Sequence, residues 1–357
     1  MKVIFSGGGT LGPVTPLIAI YEILKDNYED IEFLWVGTKF GPEKKLITKN
    51  NIEFKAIYAG KLRRYLSLWN IVDIFKIIIG FIQSFVLIWK EDPDICISAG
   101  GYVSVPLHYA AWLYGAKTWI HQQDVKIGLT NSITAPIASQ ITTALKSSLN
   151  NFPKRKTVWL GNPVRRDILK GDKKKAIKLF NLDPAIPTVF ATGGGTGSLR
   201  VNQIIVESVQ HLKGVCQIIH LSGRERPQEL VERAEKHFDY YQVHKFFSDE
   251  MKHAYAVADV VVSRGGFGTI TEVAALAKPS ILIPKPGHQI ENVKFLEKSG
   301  SAILLNERTC SGHQLAKIIK RLLKNKKKLK QMGQKLNEKL PLAKDKKIIE
   351  ITNKLID

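Results

Sequence analysis

The 357-residue sequence predicts an α/β protein of two Rossmann-like domains, each a parallel sheet covered by helices on both faces. Three observations lead there. The length exceeds the usual span of one domain, so two of about 150 to 200 residues are expected. Short β-branched runs alternate with helical stretches along the whole chain. Four glycine-rich turns, two in each half, follow such runs and lead into helical ones. A composition of 44% hydrophobic and 24% charged residues suits two real cores and argues against a largely disordered chain.

In the first half, apolar runs bounded by turn residues place strands at 2–6, 32–36, 94–98, 117–120 and 157–160. In the second half they fall at 188–192, 216–221, 257–263 and 279–284. The break between halves is expected at Gly161-Asn162-Pro163, because the proline restricts the backbone before it and a polar, lysine-rich helix over 172–180 begins soon after. Domains of 1–160 and 161–340 follow. The final segment, 341–357, has Ile348, Ile349, Ile351 and Leu355 at near-helical spacing and is expected to pack back on the first domain. No repeat of solenoid length is visible.

The stretch from Trp69 to Trp89 is almost continuously apolar and approaches the length of a bilayer span. Asp73, Lys76 and Gln83 interrupt it, so a transmembrane helix is rejected. Two readings stay open: a core helix of the first domain, or a helix whose outer face dips into a membrane interface. Basic flanks at Lys61, Arg63, Arg64 and Lys90, with Trp69 and Trp89 at the ends, match the second.

Net charge is +21, which calls for an anionic partner or a cationic solvating surface. Many lysines lie between Lys317 and Lys347, where a solvated helix face is the plainer reading. Nucleic acid is disfavoured, since no RRM, KH or zinc-finger pattern accompanies the charge. Cys96, Cys216 and Cys310 are far apart and form no CxxC pair, so no disulfide framework or zinc cluster is suggested and a reducing compartment fits. The first residues run straight into a glycine loop, and no signal peptide is expected.

The four turns are Gly7-Gly8-Gly9-Thr10-Leu11-Gly12, Gly100-Gly101-Tyr102, Gly193-Gly194-Gly195-Thr196-Gly197 and Gly265-Gly266-Phe267-Gly268-Thr269. At such a corner, glycine lets the backbone approach an anion and the helix N-terminus supplies partial positive charge. None reads GxxxxGK[ST], which disfavours a P-loop nucleotidase. The first has GxGxxG spacing, but Phe33 and Trp35 stand where a ribose-binding acid is expected, which disfavours a dinucleotide enzyme. In the fourth, Thr269 and Glu272 can form a capping box. The same turn can hold a diphosphate, with Arg264 adding charge and Glu272 accepting from ribose hydroxyls.

These turns, with Val103-Ser104-Val105-Pro106, His121-Gln122-Gln123-Asp124, Gly128-Leu129-Thr130-Asn131, Gly161-Asn162-Pro163-Val164-Arg165, Asn202, and His288-Gln289 with Asn292, occur in this order in one family. The chain resembles, over nearly its whole length, the MurG family. These bacterial enzymes transfer N-acetylglucosamine from its UDP donor to undecaprenyl-diphosphate-linked muramyl-pentapeptide, turning lipid I into lipid II in peptidoglycan synthesis. The resemblance implies a GT-B architecture, with the two sheets facing a central cleft. It implies a nucleotide-sugar site in the second domain, an acceptor site in the first, and a peripheral location on the cytoplasmic face of the membrane, where the basic surface meets anionic lipid. Carried over, Arg165, Gly195, Thr196, Phe247, Arg264, Phe267, Gly268, Thr269, Ile270, Thr271, Glu272 and Gln289 would hold the donor. Thr10, Leu11, Gly12, Asp124 and Asn131 would meet the sugar and acceptor. The family's first loop usually ends in histidine, where this chain has Pro13, and a common serine of the third loop is Gly195. The connection from Pro284 to His288 is also shorter.

The implied reaction is a single inverting displacement at the anomeric carbon. Asp124 and His121 are the candidates for general base. Helix N-termini with Arg165 or Arg264 would stabilise the leaving diphosphate. No DxD-like or clustered carboxylate site appears, so no metal and no cofactor are expected. Two alternatives remain: transfer to another lipid acceptor such as diacylglycerol, and a non-catalytic nucleotide-sugar-binding membrane module.

Overall fold

A computed structural model describes residues 1–60, 69–195 and 197–357, with side chains described from residue 75 onward and at Asp73 in the helix that opens at Trp69. Thr196, the basic flank Lys61, Arg63 and Arg64, and the side chain of Trp69 lie outside the described residues. The chain divides into two units, Met1–Arg165 with Leu342–Asp357, and Arg166–Pro341.

The first unit holds a parallel sheet of β1 (Lys2–Ser6), β2 (Glu32–Thr38), β3 (Glu53–Ile57), β4 (Ile95–Ser98), β5 (Lys117–Gln122), β6 (Gln140–Thr143) and β7 (Thr157–Trp159). Its order is β3-β2-β1-β4-β5-β6-β7. Ser6 on β1 pairs with Val36 on one side and Ser98 on the other, so the order reverses between β1 and β4. In doubly wound sheets a crevice for ligands opens at that reversal, beyond the carboxyl ends of the strands. Alternation along the strands feeds two cores. Val3, Phe5, Trp35, Ile97 and Trp119 point to one, which is closed by helices Thr15–Asn27 and Asp345–Ile356. Ile4, Leu34, Val36 and Cys96 point to the other, with Leu107 and Ala111 from helix Ser104–Tyr114. The terminal helix inserts Ile348, Ile351 and Leu355 into the first of these cores. The Ala343 N–H bonds the Asn162 carbonyl at 3.0 Å, tying that segment to the end of the same unit.

The second unit repeats the plan with β8 (Thr188–Thr192), β9 (Gln217–Leu221), β10 (Tyr241–His244), β11 (Val260–Ser263), β12 (Ser280–Leu282) and β13 (Ile303–Leu304). The order β10-β9-β8-β11-β12-β13 reverses between β8 and β11. Helix Leu199–Val209 lays Val201, Ile204 and Ile205 on the sheet beside Val260 and Val262. The expectation of two parallel-sheet Rossmann-like domains therefore holds.

Strands β3, β6, β10 and β13 were not expected. Three of them are edge strands, where only one side is paired and the apolar signal is diluted, as in Glu53-Phe54-Lys55. The expected strand over 257–263 begins too early, because Val257 closes helix Met251–Val257. All three cysteines are buried and unbridged.

The apolar stretch forms helix Trp69–Glu91, which carries apolar side chains on both its inward and its outward side. Towards the protein, Asp73, Gly80, Ser84 and Ile88 are buried and Phe81 and Leu87 pack against the core, and a Cβ on Gly80 would fall 1.8 Å from the Tyr58 carbonyl oxygen. The large residues Phe75, Ile78, Ile79, Ile82, Phe85, Val86 and Trp89 face outward. Helix Ser104–Tyr114, packed beside it, adds exposed Trp112 and Leu113. No helix among the described residues is long and apolar enough to cross a membrane.

Candidate active site

The fourth glycine turn leaves β11 at Ser263 and becomes a helix within four residues, Phe267–Ala275. Gly266 is its N-cap, with φ −72° and ψ 135°; no side chain caps it, and its first turn holds no acid. The first N–H groups of an α-helix have no partner within the helix, so this end presents amides and partial positive charge. Gly265 is required by packing: a Cβ would lie 2.5 Å from Val293 Cγ2 and 3.0 Å from Pro284 Cβ. Gln289 comes close to the same corner, its Nε2 being 3.7 Å from where a Gly266 Cβ would sit, while its Oε1 accepts from the Lys285 N–H at 2.9 Å.

The capping box is not formed. Thr269 lies inside the helix, and Glu272 is a buried interior residue whose carboxylate accepts from the Tyr255 hydroxyl at 3.0 Å. The helix starts one turn earlier than the T-x-x-E spacing suggests because Gly266 leaves the strand path directly. Thr271 is turned inward, its hydroxyl donating to the Gly268 carbonyl at 2.7 Å. Phe267 and Ile270 are buried, and only Gly268 and Thr269 of this run are partly open to solvent.

Arg264 is not a loose cation. Its guanidinium pairs with Glu307, donates to the Ile283 carbonyl at 3.1 Å and donates to Ser198 Oγ at 2.6 Å. Ser198 is the N-cap of helix Leu199–Val209, accepting from the Val201 N–H at 3.3 Å. Arg264 therefore ties the fourth turn to the end of the third. In that third turn Gly194 and Gly197 take positive φ, 84° and 73°, and Gly197 packs so closely that a Cβ would meet the Ser222 carbonyl oxygen at 2.5 Å. Gly195 is exposed at its tip. The Phe247 ring is buried, stacked on Phe190 at 6.2 Å and tilted against Phe180, so its side chain belongs to the core.

In the first unit the first and second turns touch: a Cβ on Gly101, which has φ 92°, would lie 3.1 Å from the Gly8 nitrogen and oxygen. Thr10 is exposed, with Leu11 and Gly12 half-buried. Asn131 secures the end of β5, donating to the His121 carbonyl at 3.1 Å and to Gln122 Oε1 at 2.7 Å. His121, expected beyond its strand as a candidate base, is inside it and fully buried. Its Nδ1 sits 2.9 Å from Thr142 Oγ1, and burial pushes its pKa down to about 3. A neutral imidazole closed off from solvent cannot meet an acceptor hydroxyl, which leaves half-buried Asp124 as the remaining candidate base. Arg165 is half-buried and follows β7 in the same unit.

Sequence reasoning missed Glu43, whose carboxylate accepts from the Gly9 N–H at 3.2 Å, and it missed Ser198 and Glu307. Ser198 carried a legible signal, a serine just before an apolar helical run. Glu43 and Glu307 carried none, being single acids in loop-like segments. Among the described residues no group of three His, Cys, Asp or Glu is arranged to hold a metal ion.

Comparison with known proteins matches residues 3–143 to the glycosyltransferase family 28 N-terminal domain and residues 188–348 to the glycosyltransferase family 28 C-terminal domain. The UDP-N-acetylglucosamine–N-acetylmuramyl-(pentapeptide) pyrophosphoryl-undecaprenol N-acetylglucosamine transferase 2 of Bacillus anthracis is 34% identical over 343 residues, covering 95% of this chain and 96% of its own. The corresponding transferase of Clostridium perfringens is 35% identical over 332 residues, covering 92% and 91%. The crystal structure of Acinetobacter baumannii MurG superposes with a TM-score of 0.76 at 25% identity, covering 99% of both chains. Matched in both halves and in order along nearly its full length, the chain belongs to glycosyltransferase family 28 and, within it, to the MurG family.

Proposed function

We propose that the protein transfers N-acetylglucosamine from UDP-N-acetylglucosamine to undecaprenyl-diphosphate-linked muramyl-pentapeptide, inverting the anomeric carbon without a metal, while docked on the cytoplasmic face of a membrane. The observation that carries the reading is the uncapped helix end at Gly266, placed at the strand-order reversal of the second unit in a chain 34% identical along 95% of its length to a transferase so named.

The donor's diphosphate lies on the amides of Phe267, Gly268 and Thr269, with Gly195 of the third turn beside it. Glu272 and Gln289 take the ribose and the sugar, and Arg165 is carried over from the family resemblance as a donor-binding cation. As the glycosidic bond breaks, negative charge builds on the diphosphate. Preorganised N–H donors aimed at that charge are worth about 3 to 4 kcal/mol each in rate, the role a divalent ion plays elsewhere. Arg264 acts by holding the two donor turns together. In the first unit, Thr10, Leu11, Gly12 and Asn131 serve the sugar and acceptor, and Asp124 is the base that takes the acceptor hydroxyl's proton.

The outward apolar stripe of helix Trp69–Glu91 supports membrane docking, because burying seven large side chains in a lipid interface recovers the free energy their exposure costs. The net charge of +21 adds attraction to anionic headgroups, roughly 1 kcal/mol per Lys or Arg at the surface. The test is incubation with UDP-N-acetylglucosamine and a lipid I analogue in EDTA. Disaccharide formation is expected; donor binding without turnover would mark a non-catalytic module, and turnover only on diacylglycerol would change the acceptor.

A further inference from the structure

Asn202 is 1% exposed and sits in the first turn of helix Leu199–Val209, just behind the third glycine turn. Its Nδ2 donates to the Ser222 carbonyl at 3.0 Å. A carbonyl can only accept, so this contact fixes which way the amide points and leaves Oδ1 facing the His220 imidazole, 3.1 Å from Nε2. Oδ1 also only accepts, so Nε2 carries the imidazole proton. Nδ1 is then bare and accepts from the Tyr241 hydroxyl at 2.7 Å. The chain has one direction: Tyr241 donates to His220, His220 to Asn202, and Asn202 to Ser222.

His220 lies within β9, opposite Ala191 of β8 and Val243 of β10, and is fully buried. Burial pushes its pKa down to about 3, so the ring is neutral and keeps a single proton. Where the chain ends, the third turn rests. Ser222 directly follows β9, its N–H donating to the His244 carbonyl at 2.9 Å. Its carbonyl oxygen is the atom that a Cβ on Gly197 would approach to 2.5 Å, and the same Cβ would lie 2.9 Å from Gly223 Cα. The Gly197 N–H closes the turn on the Gly194 carbonyl at 2.9 Å, with Gly195 exposed between them in sequence. Backbone rests on backbone here, with no side chain between to absorb a displacement. A shift of Ser222 is therefore passed to the turn.

We propose that His220 is a positioning residue for the donor: through Asn202 it sets the Ser222 carbonyl on which Gly197 is seated, and so holds Gly195 against the diphosphate. The inference rests on the function proposed above and adds to it a residue that touches no substrate.

The experiment compares wild type with His220→Asn and His220→Gln by calorimetry with UDP, steady-state kinetics and thermal melts. Glutamine places an N–H near the position of Nε2 and keeps the bond to Asn202; asparagine places an oxygen near Nδ1 and loses it. Loss of that donor leaves a buried acceptor unsatisfied, so UDP binding by His220→Asn is expected to weaken about tenfold. Donor KM should rise to match, with acceptor KM within about twofold of wild type. His220→Gln should stay within about threefold of wild type in UDP affinity. Inhibition by uridine, which lacks the diphosphate, should be unchanged within about twofold in both. Equal UDP affinities in the two variants, or a parallel loss of uridine and UDP binding, overturns the proposal. Should either variant fail to fold, NMR of wild type labelled with 15N-histidine carries the test. One Nε2–H tautomer whose resonance shifts on saturation with UDP is expected, and an Nδ1–H tautomer or an unmoved resonance overturns the proposal. Wild type that binds no UDP would instead sink the proposed function, so the two failures are distinguishable.

Discussion

Changing Phe75, Ile82 and Trp89 together to serine should release the protein from membranes while leaving its fold intact. The three side chains are 63%, 56% and 65% exposed and lie on one stripe of helix Trp69–Glu91. Complete burial of a side chain of this class is worth about 1.5 to 3 kcal/mol, so burial of the exposed part contributes ~1 to 2 kcal/mol each and ~3 to 5 kcal/mol for the three. That corresponds to a drop of roughly two to three orders of magnitude in membrane partition. Because these atoms face away from the core, folding stability should move by less than about 0.5 kcal/mol per site. Phe81 is unsuitable as a probe, since it packs against the core behind the helix. Flotation with vesicles containing anionic lipid, at low and high salt, measures the partition, and a thermal melt checks the fold. If the folded triple variant floats as wild type does, the outward stripe is not the membrane contact.

Three further outcomes follow from the same geometry. Gly265→Ala pushes a methyl into Val293 and Pro284, and overpacking of this kind costs about 1 to 3 kcal/mol; UDP affinity measured by calorimetry should fall at least about tenfold, and an unchanged Kd would refute the packing argument. Glu307→Ala leaves the Arg264 guanidinium unpaired where it is 14% exposed, so a loss of roughly 2 to 4 kcal/mol in urea unfolding and weaker UDP binding are expected, whereas unchanged stability would deny the tie between the donor turns. Burial lowers the imidazole pKa values of His108 to about 4 and of His121 and His220 to about 3. An unfolded histidine takes up its proton near pH 6.5, so between there and about pH 4 the unfolded chain binds more protons and stability falls as pH falls. At pH 5 each contributes a loss of about 2 kcal/mol relative to pH 7 or above, and urea unfolding at the two pH values reads the sum; equal stability would contradict it.

Much of the fold was legible because central parallel strands are buried on both faces and read as continuous apolar runs, as Val260-Val261-Val262 does. Edge strands such as β10 and β13 were not, because one paired side and two to four residues leave little periodicity. The glycine turns announced themselves, yet composition could not tell how each is held. At Gly266 no side chain caps the helix, while at Gly9 a carboxylate 34 residues further along accepts from the amide. Arg264 was singled out for its charge, but its partner Glu307 lies 43 residues away across β12 and β13, a distance only the fold spans. The sidedness of helix Trp69–Glu91 was hidden for a related reason. Its apolar residues are so numerous that the sequence marks no inward face, and the close approach of Gly80 to the Tyr58 carbonyl is what selects one.

The account rests on the amides at the start of helix Phe267–Ala275 holding the donor's diphosphate. A crystal of the protein soaked with UDP addresses this directly. Density for the diphosphate within hydrogen-bond distance of the Phe267, Gly268 and Thr269 nitrogens is expected; UDP bound away from this helix end, or at the Gly7–Gly12 turn, would contradict it.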